Sequence, residues 1–278
     1  MEVADRIAEF GSTLTRAERR VAEVVLARPQ VVAFGTVAEL AAEAGAGAAT
    51  VVRLATKIGF DGFTSMQDSI QGDLANQLRP AVERIREPIG SDLVARHLQL
   101  ELGNVHATLS SIDAEVLADI VAHLAAPSAR VFVLSGDASR GVASQLVGDL
   151  GSLRDDVALL DGNDIALRRQ LVLLRPSDVV VTLDLRRYEK WVVEAATAAV
   201  VAGTWSAAIA DSVLSPLAAL ADRTLVVAAA GAGPFDSHVG TLALINVIVA
   251  NVADVLRAAA TDRLDHIEAA WQHALTDR

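Results

Sequence analysis

Along the first eighty residues apolar positions recur every three to four, the period of helices with one buried side. Beyond about residue 90 they gather into short aliphatic runs that alternate with helical stretches. The first pattern predicts a short helix over residues 2 to 10 and a break at Gly11 and Ser12. Thr15 and Glu18 then have capping-box spacing and open a helix to about Arg28, with Ala17, Val21, Val24 and Val25 inward and Pro29 expected to stop it. Thr36 and Glu39 repeat the box. They start a helix with Val37, Leu40, Ala41 and Ala44 on its inner side, ended by Gly45, which takes left-handed backbone without steric cost. Gly47 caps the next helix, Ala48 to Ile58, whose inner side is Val51, Leu54, Ala55 and Ile58; Ala49, Thr50, Arg53 and Lys57 are expected to face outward. A last helix to about Leu78 carries Phe63, Met66, Ile70 and Leu74 at helical spacing.

Pro80, Pro88 and Gly90 mark a linker, so the expected division is a helical domain at 1–79, a linker at 80–90 and a second domain at 91–278. The second domain begins with helices at about 92–109 and 113–125. Strands follow at 130–134, 157–160, 179–183, 206–209 and 224–227, separated by helices at about 139–153, 165–173, 188–202 and 216–220. That alternation predicts an α/β domain with a five-stranded parallel sheet flanked by helices. A long apolar helix, Ser237 to Ala259, and a final one at 262–275 close the chain. Leu242, Leu244, Ile245, Val247, Ile248, Val249 and Val252 make the long helix apolar around most of its girth, which calls for cover either from a second subunit or from within its own.

Composition narrows the classes. The 278 residues contain no cysteine, which excludes a disulfide framework, a thiol nucleophile and a cysteine zinc site and fits a cytoplasmic protein. The charge-free runs, 195–210 among them, are too short to span a bilayer, and no secretory leader is visible, so no membrane partner is expected. No metal-ligand spacing or phosphate-loop motif occurs among the six scattered histidines and eighteen glycines, and no cofactor is expected. Taken whole, the net charge of −11 opposes a nucleic-acid partner, but residues 1–79 hold eight basic and ten acidic residues and carry only −2 of it.

The two short helices around Gly45 form a helix-turn-helix, whose second helix is of the size a DNA major groove admits. The candidate DNA contacts are Thr36, Gly47, Ala48, Ala49, Thr50, Arg53 and Lys57: arginine can pair with guanine or phosphate, and small residues let the helix approach closely. A helical bundle with ordinary solvent-facing Arg53 and Lys57 has the same pattern. In the second domain, ligands of a parallel sheet bind outside the carboxyl ends of its strands. Three loops lie there by order. Ser135, Gly136 and Ser139 follow the first strand. Asp184, Arg187 and Tyr188 follow the third, with Arg187 expected to point inward rather than its neighbour. Asp211 and Ser215 follow the fourth, and Ser237 and His238 open the long helix beside them. Adjacent arginines in such a loop can grip a phosphate or carboxylate, or merely offset Asp184 and Glu189.

The run from Leu14 to Gln67, with L-T-x-x-E-R-x-V-A, x-R-P-x-x-V-A-F, V-A-E-L-A, A-T-V-V-R-L and K-I-G-F-x-G-F, resembles the reader domain of RpiR/MurR transcriptional regulators. The I-x-D-S-x-x-S-P-L-A-x-x-A-D pattern at 209–222 resembles the sugar isomerase (SIS) domain that follows it in that family. The resemblance implies a double-stranded DNA operator, a small anionic effector such as a sugar phosphate, and association into a homodimer or homotetramer. Two departures stand out: Gly47 where the family usually has serine, and DLRRY at 184–188 where sugar-phosphate-binding SIS domains usually have a hydroxyl-rich loop. The competing reading is an SIS-type sugar-phosphate isomerase with a helical appendage. It needs a positioned base, for which the loops offer only His238 and Glu189.

Overall fold

The computed structural model describes residues 3–27, 29–77, 81–86, 92–162, 164–213 and 215–276. The expected helix ends at Arg28 and Leu78, and the linker markers Pro80, Pro88 and Gly90, lie outside these residues. The chain divides into two compact units, Met1–Pro80 and Ala81–Arg278.

The first unit contains α1 (Val3–Phe10), a 3-10 turn at Gly11–Thr13, α2 (Arg16–Ala27), α3 (Pro29–Phe34), α4 (Val37–Glu43), α5 (Ala48–Lys57) and α6 (Phe63–Gln77). Both capping boxes form. The Thr15 amide donates to Glu18 Oε2 at 2.9 Å, and the Thr36 amide to Glu39 Oε2 at 2.7 Å, while each threonine hydroxyl accepts the glutamate amide at 3.3 Å. Gly45 turns the chain with φ 54°, and Ala46 donates back to Ala41 O at 2.8 Å. Val21, Leu40, Val51, Leu54, Ile58 and Met66 are sealed between the helices. α2 ends at Ala27, ahead of Pro29 as expected, but Pro29 also opens α3, a helix not expected there, because the first turn of a helix needs no amide from it and its fixed φ suits that position.

The second unit begins with α7 (Ala81–Arg84), α8 (Leu93–Ser110) and α9 (Ala114–Leu124). Next come β1 (Val131–Ser135), a 3-10 turn at Asp137–Ser139, α10 (Arg140–Leu153), β2 (Val157–Leu159), α11 (Asp164–Val172), β3 (Val179–Leu183) and α12 (Lys190–Val201). The unit ends with β4 (Trp205–Ala210), β5 (Arg223–Val226), α13 (Val239–Val255) and α14 (Arg257–Thr276). All strand pairs are parallel, in the order β2-β1-β3-β4-β5. Alternation along the strands decides the layers. Val179, Val181 and Leu183 join the core with α9, α10 and α13, whereas Val180 faces the opposite core with α11 and α12.

Two expectations fail here. Residues 216–220 are not a helix: Ser215 Oγ accepts the Ala218 amide at 2.9 Å, and Asp222 is already held by Ser206 O at 3.0 Å, so the chain has room only for turns before β5. The long helix also runs only Val239–Val255, and α14 starts at Arg257 after a 106° bend. Among the described residues no single helix is long and apolar enough to cross a membrane. Leu244, Ile245, Ile248 and Val252 of α13 are covered within the subunit, where α8, α9 and α10 pack, while Val239 and Leu242 stay exposed.

Candidate functional site

In the first unit the outer face of α5 consists of Ala48, Ala49, Val52, Arg53 and Thr56. Gly47 caps the helix with extended backbone (φ −88°, ψ 150°) and no side-chain bond; the Thr50 amide donates to Gly47 O at 2.8 Å, which leaves the Ala48 and Ala49 amides of the first turn for an anion. Thr50 and Lys57 depart from expectation. Thr50 is only 7% exposed, because helix phase carries it round beside Val51 and Leu54, and its hydroxyl accepts Arg53 Nη2 at 3.2 Å. Lys57 turns back into the unit, donating to Thr13 O at 2.6 Å and Glu18 Oε2 at 2.9 Å. With the Thr15 amide first and the Lys57 ammonium next, Glu18 is pulled down to a pKa of about 2. The Thr36 hydroxyl is likewise engaged, with Glu39 Oε2 at 2.9 Å.

The residues that were not foreseen are the ones that brace this face. Arg20 donates to Ala44 O at 3.1 Å and Gly45 O at 2.9 Å, closing the end of α4. Arg6 donates to Ile58 O and Gly59 O at the end of α5 and lies 4.2 Å over the Phe60 ring. These partners are 24 or more residues away in sequence, so no local spacing announces them. Val52 and Thr56 were reachable in principle, one turn on from Ala49 and Arg53.

In the second unit the strand order reverses between β1 and β3, and the loops after them flank that crevice, the usual ligand position in such sheets. The structure brings four expected segments together there. Gly136 lies against Asp184 so closely that a Cβ on it would come within 2.5 Å of Asp184 Oδ1. Asp184 accepts the Leu185 and Glu189 amides, both at 2.9 Å; Glu189 Oε1 accepts the Asp137 amide at 2.6 Å; Asp211 Oδ1 accepts the Arg186 amide at 2.9 Å. The chain's own carboxylates therefore occupy the amides that an incoming anion would use. Burial pushes Asp184 up to a pKa of about 6 despite its two amides, helped by the nearby charges of Glu189 and Asp211. Tyr188 donates to Asp211, and burial followed by that bond raises its phenol pKa.

Arg187 is exposed; it is Arg186 that turns inward, on left-handed backbone (φ 56°), with its side chain 7% exposed. Arg186 Nη1 reaches Asp236 Oδ1 at 2.6 Å, and Arg84 Nη1 meets the same oxygen at 2.8 Å. Ser215 and Ser237 are engaged in structure: the first with the Ala218 amide, the second donating to Glu101 Oε2 at 2.6 Å. Two buried hydroxyls, Ser139 Oγ at the entry to α10 and Thr241 Oγ1 at the entry to α13, have no partner, and the His238 ring bonds the Ala138 backbone while its Nδ1 stays unbonded. Burial lowers the His238 pKa, which keeps the ring neutral near pH 7. Ser135 is buried at the end of β1. A cavity of ≈ 10 Å³ beneath α12, lined by Val180, Thr182, Ala196 and Ser206 among others, is too small for a metabolite and lies away from these loops. Among the described residues no cluster suited to a metal ion occurs.

Residues 1–77 match the family described as "Helix-turn-helix domain, rpiR family", and residues 124–251 match the SIS domain. The chain is 28% identical over 229 residues to an uncharacterised HTH-type transcriptional regulator of Haemophilus influenzae, covering 81% of this chain and 79% of that protein. A second such regulator, from Caldanaerobacter subterraneus, is 28% identical over 255 residues, 89% of each chain. Among solved structures, the sugar isomerase domain of an RpiR transcription factor from Sphaerobacter thermophilus superimposes with a TM-score of 0.61 at 28% identity, over 64% of this chain and 99% of that one. The Vibrio vulnificus NanR protein complexed with ManNAc-6P shares the fold, with a TM-score of 0.56 at 22% identity over 96% of this chain and 97% of that one.

Proposed function

With an rpiR-family helix-turn-helix domain followed by a SIS domain, this chain is a transcriptional regulator of the RpiR type, and on that premise we propose that it binds its operator through α5 and releases or grips it in response to a small anionic metabolite of the sugar-phosphate class. The observation that carries the DNA half is the outer face of α5, where small residues surround Arg53 at a helix start without a side-chain cap. Arg53 meets base or phosphate, and Ala49 and Val52 meet thymine methyls. Gly47, Ala48 and Thr36 lie at the same end of the motif.

The effector half is supported by the unbonded hydroxyls of Ser139 and Thr241 and the unbonded Nδ1 of His238, and by the gathering of Ser135, Gly136, Asp184, Tyr188, Asp211 and Ser237 around the β1/β3 crevice. NanR, which has the same fold, is named with ManNAc-6P bound. The protein acts without catalysing a reaction on this ligand: Glu189 has both oxygens engaged, with the Asp137 amide and Trp191 Nε1, which leaves it a poor base. It works in the cytoplasm as a homodimer or homotetramer. Val94, Leu98 and Leu102, 80, 56 and 58% exposed at four-residue intervals on α8, provide an apolar stripe for a second copy. A dimer places its α5 helices on half-sites about 34 Å apart or a multiple of that.

The test is binding of the full chain to fragments from upstream of its own and neighbouring genes, at about 100 mM salt because phosphate contacts make affinity salt-dependent. Titration with sugar phosphates, N-acetylmannosamine 6-phosphate among them, follows. Specific binding that shifts with one of them is expected; no binding above background at low salt would remove the proposal.

A further inference from the structure

Arg84 and Arg186 share one acceptor atom. Both donate from Nη1 to Asp236 Oδ1, at 2.8 and 2.6 Å, so two guanidinium charges face one carboxylate. Their side chains are 17 and 7% exposed, and the Nε of each is buried without a partner. A guanidinium fork satisfies a carboxylate or phosphate best through two parallel bonds. Among the described residues each fork makes a single bond, and the two guanidinium charges share one carboxylate. Buried donors left unbonded are rare in folded proteins and ask for a missing acceptor. Arg186 is held in this pose by left-handed backbone and by its amide bond to Asp211, which aims the side chain at Asp236 instead of solvent.

We propose that Arg84 and Arg186 form a binding site for the phosphate or carboxylate group of a small metabolite, which displaces Asp236 from the pair and thereby resets the hold on α7. A dianion offers enough acceptor oxygens to fill both forks; Asp236 uses one. The consequence follows from where Arg84 sits. It lies on α7, the first element of the second unit, whose apolar Val82 and Ile85 are 59 and 66% exposed and give the helix little anchorage. Arg84 is the side chain that turns inward. Exchanging its partner changes the restraint on the chain that leads back to the DNA-reading unit, and an anion that prefers the opened pair shifts that equilibrium by its difference in affinity for the two arrangements. The inference rests on the sensing role proposed above and names a sensor and its route.

The full chain is titrated with inorganic phosphate in a phosphate-free buffer by calorimetry, alongside Arg84→Gln, Arg186→Gln and Asp236→Asn. Each arginine variant is expected to weaken phosphate binding at least tenfold, and Asp236→Asn to tighten it severalfold by removing the competing carboxylate. Amide exchange in residues 81–86 is expected to rise with phosphate in the wild type and to stay flat in Arg186→Gln. If Arg186→Gln fails to fold, Arg84→Gln, nearer the surface, carries both measurements. Equal phosphate affinity in the wild type and the arginine variants overturns the proposal, as does binding that leaves exchange in α7 unchanged. If sugar phosphates still release operator DNA from Arg84→Gln as from the wild type, sensing stands and this route to the linker is wrong.

Discussion

Two carboxylates, one in each unit, are both almost sealed from solvent yet pulled in opposite directions. Glu18 is 6% exposed and held down to about 2; Asp184 is 2% exposed and pushed up to about 6. Each accepts backbone amides, so hydrogen bonding alone does not separate them. Glu18 also has Lys57 at 2.9 Å, whereas the charges bearing on Asp184 are those of Glu189 and Asp211. In the reader unit, then, carboxylate and ammonium are consumed in fixing the scaffold, and what remains on the outside of α5 is open to a partner. In the α/β unit the chain's own carboxylates occupy the crevice, and a ligand must displace or rearrange them. The difference teaches where specificity is held ready and where it must be released.

The largest effect that sharpens this contrast is on pH dependence. A carboxyl whose folded pKa is raised contributes stability below its unfolded value and loses it as pH rises through the folded one. Asp184 therefore weakens the fold between about pH 4 and 6, by up to about 3 kcal/mol for a shift of about two units. Asp184→Asn should flatten stability across that window in denaturant titrations; an unchanged slope would mean the group is charged throughout. Next in size, Arg53→Ala should cost about 1–3 kcal/mol of operator binding, roughly fivefold to 150-fold, with melting temperature unchanged because its side chain lies on the exposed face. Retention of full affinity in a mobility-shift titration would break the assignment of the outer face.

Glu18→Gln should lower the stability of the reader unit by about 1–2 kcal/mol at neutral pH, in the range of charged hydrogen bonds. The sign is opposite to Asp184: a lowered folded pKa gives stability above about 4.5 that disappears as pH falls toward 2. Amide exchange in α2 and α5 at pH 7 and at low pH checks it, since a loss independent of pH would point to packing and not to charge. The smallest effect is Gly47→Ser. Open space lies where its Cβ would go, and its φ of −88° suits any residue, so a side-chain cap should stabilise α5 by a few tenths of a kcal/mol. A drop in thermal stability would show that the glycine is required.

The strands and most helices were legible in the chain because they follow from local rules. Two threonine–glutamate boxes set helix starts, Gly45 set the turn, and aliphatic runs at fixed spacing set a parallel sheet. Where local signals were weak, the reading fell short: Pro29 marked the end of α2 but gave no sign that it also opens α3, and residues 216–220 looked helical until the anchoring of Asp222 left them too few positions. Facing was harder than existence. Thr50 and Lys57 lie near the edge of the helical face, where a small change in phase decides between solvent and core, and Lys57 was claimed by a carboxylate 39 residues away. Arg186 and Arg187 are neighbours with the same chemistry, and only the left-handed backbone at the first selects it.

By itself, then, the sequence determined the order of most elements, the helix-turn-helix and the loops at the carboxyl ends of the strands, because periodicity, caps and turns act over a few residues. Tertiary structure alone decided which donors are free. Arg84, Arg186 and Asp236 converge from positions 50 to 152 residues apart, and Gly136 meets Asp184 only when β1 pairs with β3. Burial and electrostatic partnership depend on what folding brings alongside a group, and no spacing along a chain encodes that.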